Sequence, residues 1–170
     1  ALNPSMRWGR QLKEVLLQHT IVDKKECNTE ILRLLDSVKI PIPELVIEKY
    51  PHELSGGQQQ RVMIAMSIAC RPKILIADEP TTALDVTVQR DIIELLKSLQ
   101  NKTKMAVVFI SHDLSLVSEI AHRTLVIYNG KIVEKGATKA LFKSPQHPYT
   151  KALIAAKPKL NKRLRKLPSI

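Results

Sequence analysis

Asp78 and Glu79 close the apolar run Ile74-Leu75-Ile76-Ala77, and adjacent carboxylates in that setting suit metal and proton chemistry. In parallel α/β sheets, ligands bind beyond the carboxyl ends of the strands, where the loops diverge. There Asp78 could hold Mg2+ as a hard oxygen ligand, and Glu79 could orient or deprotonate an attacking water. Such a pair is weak evidence alone, because acids often cap strands. Twenty residues before Asp78 stands Gln58, within Leu54-Ser55-Gly56-Gly57-Gln58-Gln59-Gln60-Arg61. Ser55-Gly56-Gly57 opens a helix whose free backbone N–H groups and dipole favour a phosphate. Two glycines let that backbone approach an anion without a Cβ in the way. The Ser55 hydroxyl can serve as a helix cap or face the phosphate, and the sequence leaves both open. A third element is His112, after the run Met105 to Ile110, where an imidazole could hydrogen-bond a γ-phosphate. On this reading, the loops carrying Glu79 and His112 face one crevice. His19, His52, His122 and His147 lack comparable context. No G-x-x-x-x-G-K-[ST] phosphate loop occurs in the 170 residues.

The positioning elements follow from periodicity. Residues 9–19 and 26–38 show helical spacing, with Ile31, Leu34, Leu35 and Val38 on one face, and Pro41 and Pro43 break it. A connector over Tyr50 to Glu53 leads to a helix from about Gly57 to Ala69, closed by Arg71-Pro72. Lys73 to Ala77 and Met105 to Ile110 read as strands buried on both faces. Between them lies an amphipathic helix over 86–100, and a further helix spans roughly 114–121. Thr124 to Tyr128, Asn129-Gly130 and Lys131 to Glu134 read as a hairpin with a type I′ turn. The expected fold class is α/β, with a mainly parallel sheet core, a helical subdomain and a C-terminal hairpin and tail.

Composition narrows the function classes. Hydrophobic residues make up 44% and charged residues 25%, a globular balance, and no apolar run is long enough to span a bilayer. Cys27 and Cys70 have neither metal-ligand nor redox spacing, so they read as free thiols in a reducing compartment. The net charge of +11 belongs to one end: residues 131–170 hold eleven Lys and Arg against Glu134 alone. The excess centres on Lys157, Lys159, Lys162, Arg163, Arg165 and Lys166. That segment reads as a solvated tail, with anionic lipid as the next alternative. Nucleic acid ranks last because no aromatics interleave with the charges.

Taken together, these strings resemble the nucleotide-binding subunit of an ABC transporter. Leu54 to Gln58 matches the signature, Ile74 to Glu79 the Walker B segment, Ala83-Leu84-Asp85 the D-loop and His112 the switch histidine. Gly56 to Arg61, Thr81 to Gln89 and Pro145-Gln146-His147-Pro148-Tyr149-Thr150 are similar to the oligopeptide/dipeptide and nickel importer branch. The opening Ala1-Leu2-Asn3-Pro4 is similar to the segment after that branch's Q-loop glutamine. The resemblance implies ATP and Mg2+ as cofactors, with Asp78 supporting the metal, Glu79 as catalytic base and His112 on the γ-phosphate. Ser55, Gly56, Gly57 and Gln58 would act in trans on ATP held by a second ATP-binding subunit, and Asp85 would line the dimer interface. Further implied partners are two membrane-spanning permease subunits and, indirectly, a substrate-binding protein, placing the chain on the cytoplasmic face of the membrane.

The domain reading that follows is a partial nucleotide-binding domain over 1–142, divided at about residue 70 into helical and catalytic parts. A peptide-importer extension would occupy 143–170. The family's phosphate loop, adenine-stacking aromatic and Q-loop glutamine would precede Ala1, so the 170 residues alone are expected to turn over ATP negligibly. No cysteine follows Cys70, which leaves the branch's C-terminal cysteine cluster unsupported. Two other readings stay open: a non-catalytic partner completing another ATPase's site, and a soluble ABC ATPase acting on nucleic acid.

Overall fold

Apolar residues at four-residue steps become a helix when their stripe can be buried, and Trp8, Leu12 and Leu16 are fully buried along α1 (Trp8–His19). The computed structural model describes residues 3–20 and 22–156. The chain divides into two units, Ala1–Ile110 and Ser111–Ile170. The basic segment around Lys157 to Lys166 lies outside the described residues.

In the first unit, α1 packs on α2 (Cys27–Ser37), and both meet α4 (Gly56–Ile68). Cys27, Ile31, Leu34 and Leu35 fill the α2 side of this core, and Val62, Ala65 and Ile68 fill the α4 side. A short helix absent from the sequence reading, α3 (Pro43–Val46), follows Pro41, with Pro43 at its first position, where no N–H is needed. The connector before the signature is a 3-10 turn over Pro51–Glu53. Among the described residues both thiols are free, Cys27 buried and Cys70 exposed.

The closure of α4 differs from the sequence expectation. The helix stops at Ile68, and Arg71 takes a left-handed φ of 47° rather than the extended form usual before proline. Lys39 (φ 58°), after α2, and Lys104 (φ 59°), after α5 (Val86–Thr103), adopt the same conformation. A positive charge at a helix C-terminus is favoured by the dipole.

Strands β1 (Ile74–Asp78) and β2 (Ala106–Ile110) pair in parallel, with α5 as the crossover, and Asp78 lies opposite Ile110. The expectation that both strands are buried on both faces is corrected. Leu75 and Ala77 are buried, but Ile74, Ile76, Val108 and Ile110 are exposed. The period of two carries Leu75 and Ala77 to one face of β1 and Ile74 and Ile76 to the other. The apolar runs marked both strands correctly.

The second unit holds α6 (Leu114–Ile120) and the antiparallel hairpin β3 (Arg123–Tyr128) and β4 (Lys131–Ala137). Asn129 (φ 49°) and Gly130 (φ 72°) both take the positive angles that a type I′ turn requires. A bulge shifts the register between Val126 and Ile127. Two helices the sequence reading did not place follow: α7 (Thr138–Lys143) and α8 (Pro148–Ala155).

Candidate functional site

Leu54 is buried and anchors the entry to α4, while the Gln59 side chain donates from Nε2 to the carbonyls of Pro51 (2.8 Å) and Leu54 (3.0 Å). These bonds fix the turn in front of the signature. Ser55 then caps the helix: Ser55 Oγ accepts from the Gln58 N–H (3.3 Å), and Gln58 Oε1 accepts from the Ser55 N–H (3.2 Å). This reciprocal capping box gives Ser55 a capping role. The first amides of a helix lack intrahelical acceptors. Those of Gly56 and Gly57 have no acceptor among the described residues.

The glycine pair also has a packing role that the sequence did not reveal. A Cβ at Gly57 would lie 2.7 Å from Val88 Cγ1, and one at Gly56 would lie 3.3 Å from Leu84 Cδ2. The start of α4 therefore lies directly against the Leu84 and Val88 side chains. Asp85 Oδ1 accepts from the Val88 N–H (2.9 Å) as the N-cap of α5. Arg61 joins the same region, donating to the Val38 carbonyl (3.0 Å) and pairing with Asp91 at 3.6 Å.

Asp78 is exposed at the end of β1, and the next residue turns sharply. Glu79 has φ 45°, an uncommon conformation for a residue with a Cβ. Its N–H donates to the Ile110 carbonyl (3.0 Å), and its own carbonyl accepts from the Thr82 N–H (3.2 Å). The Thr82 hydroxyl donates to Glu79 Oε2 (2.9 Å). Beyond it, Ala83 is again left-handed (φ 64°), and the buried Thr81 accepts at its carbonyl from Gln89 Nε2 (3.2 Å). The loop from strand to helix is thus held by its own short bonds.

His112 is exposed, two residues beyond β2, and belongs to the second unit. Its neighbours order the start of α6: the Asp113 N–H donates to Ser111 Oγ (3.0 Å), and Asp113 Oδ1 accepts from the Ser115 N–H (2.7 Å).

The string Gln146 to Thr150 is ordered around Glu134 of β4. The Glu134 carboxylate accepts from the amides of Gln146 (2.8 Å) and His147 (3.1 Å). His147 Nδ1 accepts from the Tyr149 N–H (3.2 Å) to cap α8, Pro148 starts the helix, and Tyr149 stacks on Tyr128 at 4.2 Å. The neighbouring Thr150 hydroxyl, then these amides, hold Glu134 below the usual carboxylate range by favouring its charged form. Thr150 Oγ1 is buried and makes no hydrogen bond of ordinary geometry, so the two amides carry this argument.

The structure therefore brings Gly56 against Leu84 and Gly57 against Val88. The sequence reading gave no role to Thr82, Gln59 or Glu134. A hydroxyl three residues after a strand-end carboxylate was the available signal for Thr82. Glu134 had none, because its partners are 12 and 13 residues away.

ATP and Mg2+ suit the donor set in chemical kind. Asp78 offers an exposed carboxylate, and Gly56 and Gly57 offer two amides toward an anion. Among the described residues no cluster of three His, Cys, Asp or Glu could hold a metal. Mg2+ needs none, since it is commonly bound through one or two carboxylates, waters and substrate phosphates. No helix among the described residues is long and apolar enough to cross a membrane.

Comparison with known proteins adds the following. The family profile for ABC transporters matches residues 2–82, and that for the C-terminal region of oligopeptide/dipeptide transporters matches 133–170. The glutathione import ATP-binding protein GsiA of Escherichia coli (strain K12) is 51% identical over 160 residues, covering 94% of this chain. The chain spans 26% of the length of that relative. Among solved structures, the dimeric form of MJ0796, a bacterial ABC transporter cassette, aligns with a TM-score of 0.68 at 28% identity. The match covers 81% of this chain and 59% of that one. A post-hydrolysis dimer of the same ATP-binding cassette, bound to ADP and Pi, aligns with the same values.

Proposed function

This chain belongs to the ABC transporter family, and from that premise we propose that it is part of the ATP-hydrolysing subunit of a peptide importer. The observation that carries the reading is the presence of both matches, ABC transporter and oligopeptide/dipeptide transporter C-terminal region, in one chain. Small peptides are the substrate class, in keeping with the glutathione named for the relative.

When bound, Mg-ATP supplies the phosphoryl group and the metal charge that neutralises its oxygens. Asp78 would hold Mg2+, directly or through water. Glu79 would take the proton of the attacking water, and His112 would donate a hydrogen bond to the γ-phosphate. The amides of Gly56 and Gly57, at a helix start shaped by Ser55 and Gln58, would face ATP held by a second ATP-binding subunit. Asp85 caps α5 beside them and would lie at the dimer interface. Two permease subunits, with a substrate-binding protein upstream, complete the transporter, and the chain would sit peripherally on the cytoplasmic face. In domain terms, residues 1–142 would be nucleotide-binding domain and 143–170 the importer extension.

The test is ATP-driven peptide uptake by the intact transporter in proteoliposomes. Glu79→Gln should abolish hydrolysis and uptake while leaving ATP binding in place. Hydrolysis at the unmodified rate would refute the assignment.

A further inference from the structure

We propose that Thr82 is a positioning residue for Glu79, an inference that rests on the reading of Glu79 as the base. Bonds that hold Glu79 include its N–H on Ile110, its carbonyl on the Thr82 N–H, and its Oε2 on the Thr82 hydroxyl. Thr82 supplies the last two. A left-handed glutamate costs on the order of 1–3 kcal/mol and persists only where its surroundings over-determine it. Here the Thr82 backbone bond closes the tight turn that the φ of 45° demands, and the hydroxyl then restrains the carboxylate that the turn presents.

The chemical consequence is directional. A carboxylate on a free side chain samples several rotamers, and a general base must sit within hydrogen-bond reach of the proton it takes. The donated bond restrains Oε2 and with it the orientation of the carboxylate. Thr82 is itself exposed, so its side chain adds nothing to the core. Its hydroxyl therefore serves the neighbouring carboxylate rather than packing. Valine keeps the shape of threonine and removes only the donor, whereas serine keeps the donor.

The experiment compares ATP hydrolysis by the intact transporter bearing Thr82→Val, Thr82→Ser or Glu79→Gln, with kcat, KM and direct ATP affinity measured for each. Thr82→Val should lower kcat about tenfold, the equivalent of about 1.4 kcal/mol, with KM and ATP affinity unchanged. Thr82→Ser should return kcat to within about twofold of the unmodified rate, as expected if one hydroxyl hydrogen bond to a charged group is at issue. Thr82→Ala stands in if the valine variant does not assemble. Unchanged kcat in Thr82→Val, with Glu79→Gln inactive, overturns the role of Thr82 and leaves the base assignment standing. Loss of kcat without rescue by serine overturns the hydroxyl argument. Full activity in Glu79→Gln removes the base assignment and this inference together.

Discussion

Replacing Gly57 by alanine tests whether the signature glycine is needed for packing as well as for an open backbone. An ideal Cβ there falls 2.7 Å from Val88 Cγ1, with Val88 Cγ2 at 3.8 Å and Cβ at 3.9 Å. Carbon atoms rest at about 3.5–4.0 Å, so one contact must open by roughly 1 Å. Val88 cannot simply rotate away, because a β-branched side chain in a helix has one strongly preferred χ1. Overpacking of this kind costs about 1–3 kcal/mol. Replacing glycine by alanine inside a helix returns about 0.5–1 kcal/mol. The net expectation is a loss of up to about 2.5 kcal/mol, read as a lower urea midpoint at unchanged m-value. A double-mutant cycle with Val88→Ala isolates the contact. Removing both should recover about 1 kcal/mol relative to additivity, whereas uncoupled sites add within about 0.3–0.5 kcal/mol. Additive behaviour would refute the packing argument. Recovered stability without recovered ATP affinity would show that the same glycine also serves nucleotide approach.

Two further predictions follow from single side chains. Asp85→Ala should destabilise the protein by about 1 kcal/mol through loss of the α5 cap, while Asp85→Asn, which can still accept from the Val88 N–H, should cost much less. Chemical denaturation of both variants checks this, and equal losses would mean that the cap is not what matters. Glu134 has a depressed folded-state pKa, so its contribution to stability is present above the ordinary carboxylate range near about pH 4.3 and is lost as pH falls through the lower folded value. The urea midpoint of Glu134→Gln should therefore lie below that of the unmodified protein at pH 7, and the gap should close in acid. A gap independent of pH would sink the argument.

The sequence by itself determined the elements with strong local signals. The helical spacing over 9–19 and the stripe Ile31-Leu34-Leu35 place α1 and α2, and Asn129-Gly130 specifies the hairpin turn, because helix period and turn chemistry are properties of neighbouring residues. The order of signature, strand-end carboxylates and histidine carries the family, since each string is short and contiguous. Tertiary structure decided what depends on residues distant in the chain. The closeness of Gly57 to Val88, the Glu79 N–H on the Ile110 carbonyl and the clamp of Glu134 on Gln146 and His147 come from chain segments meeting in space.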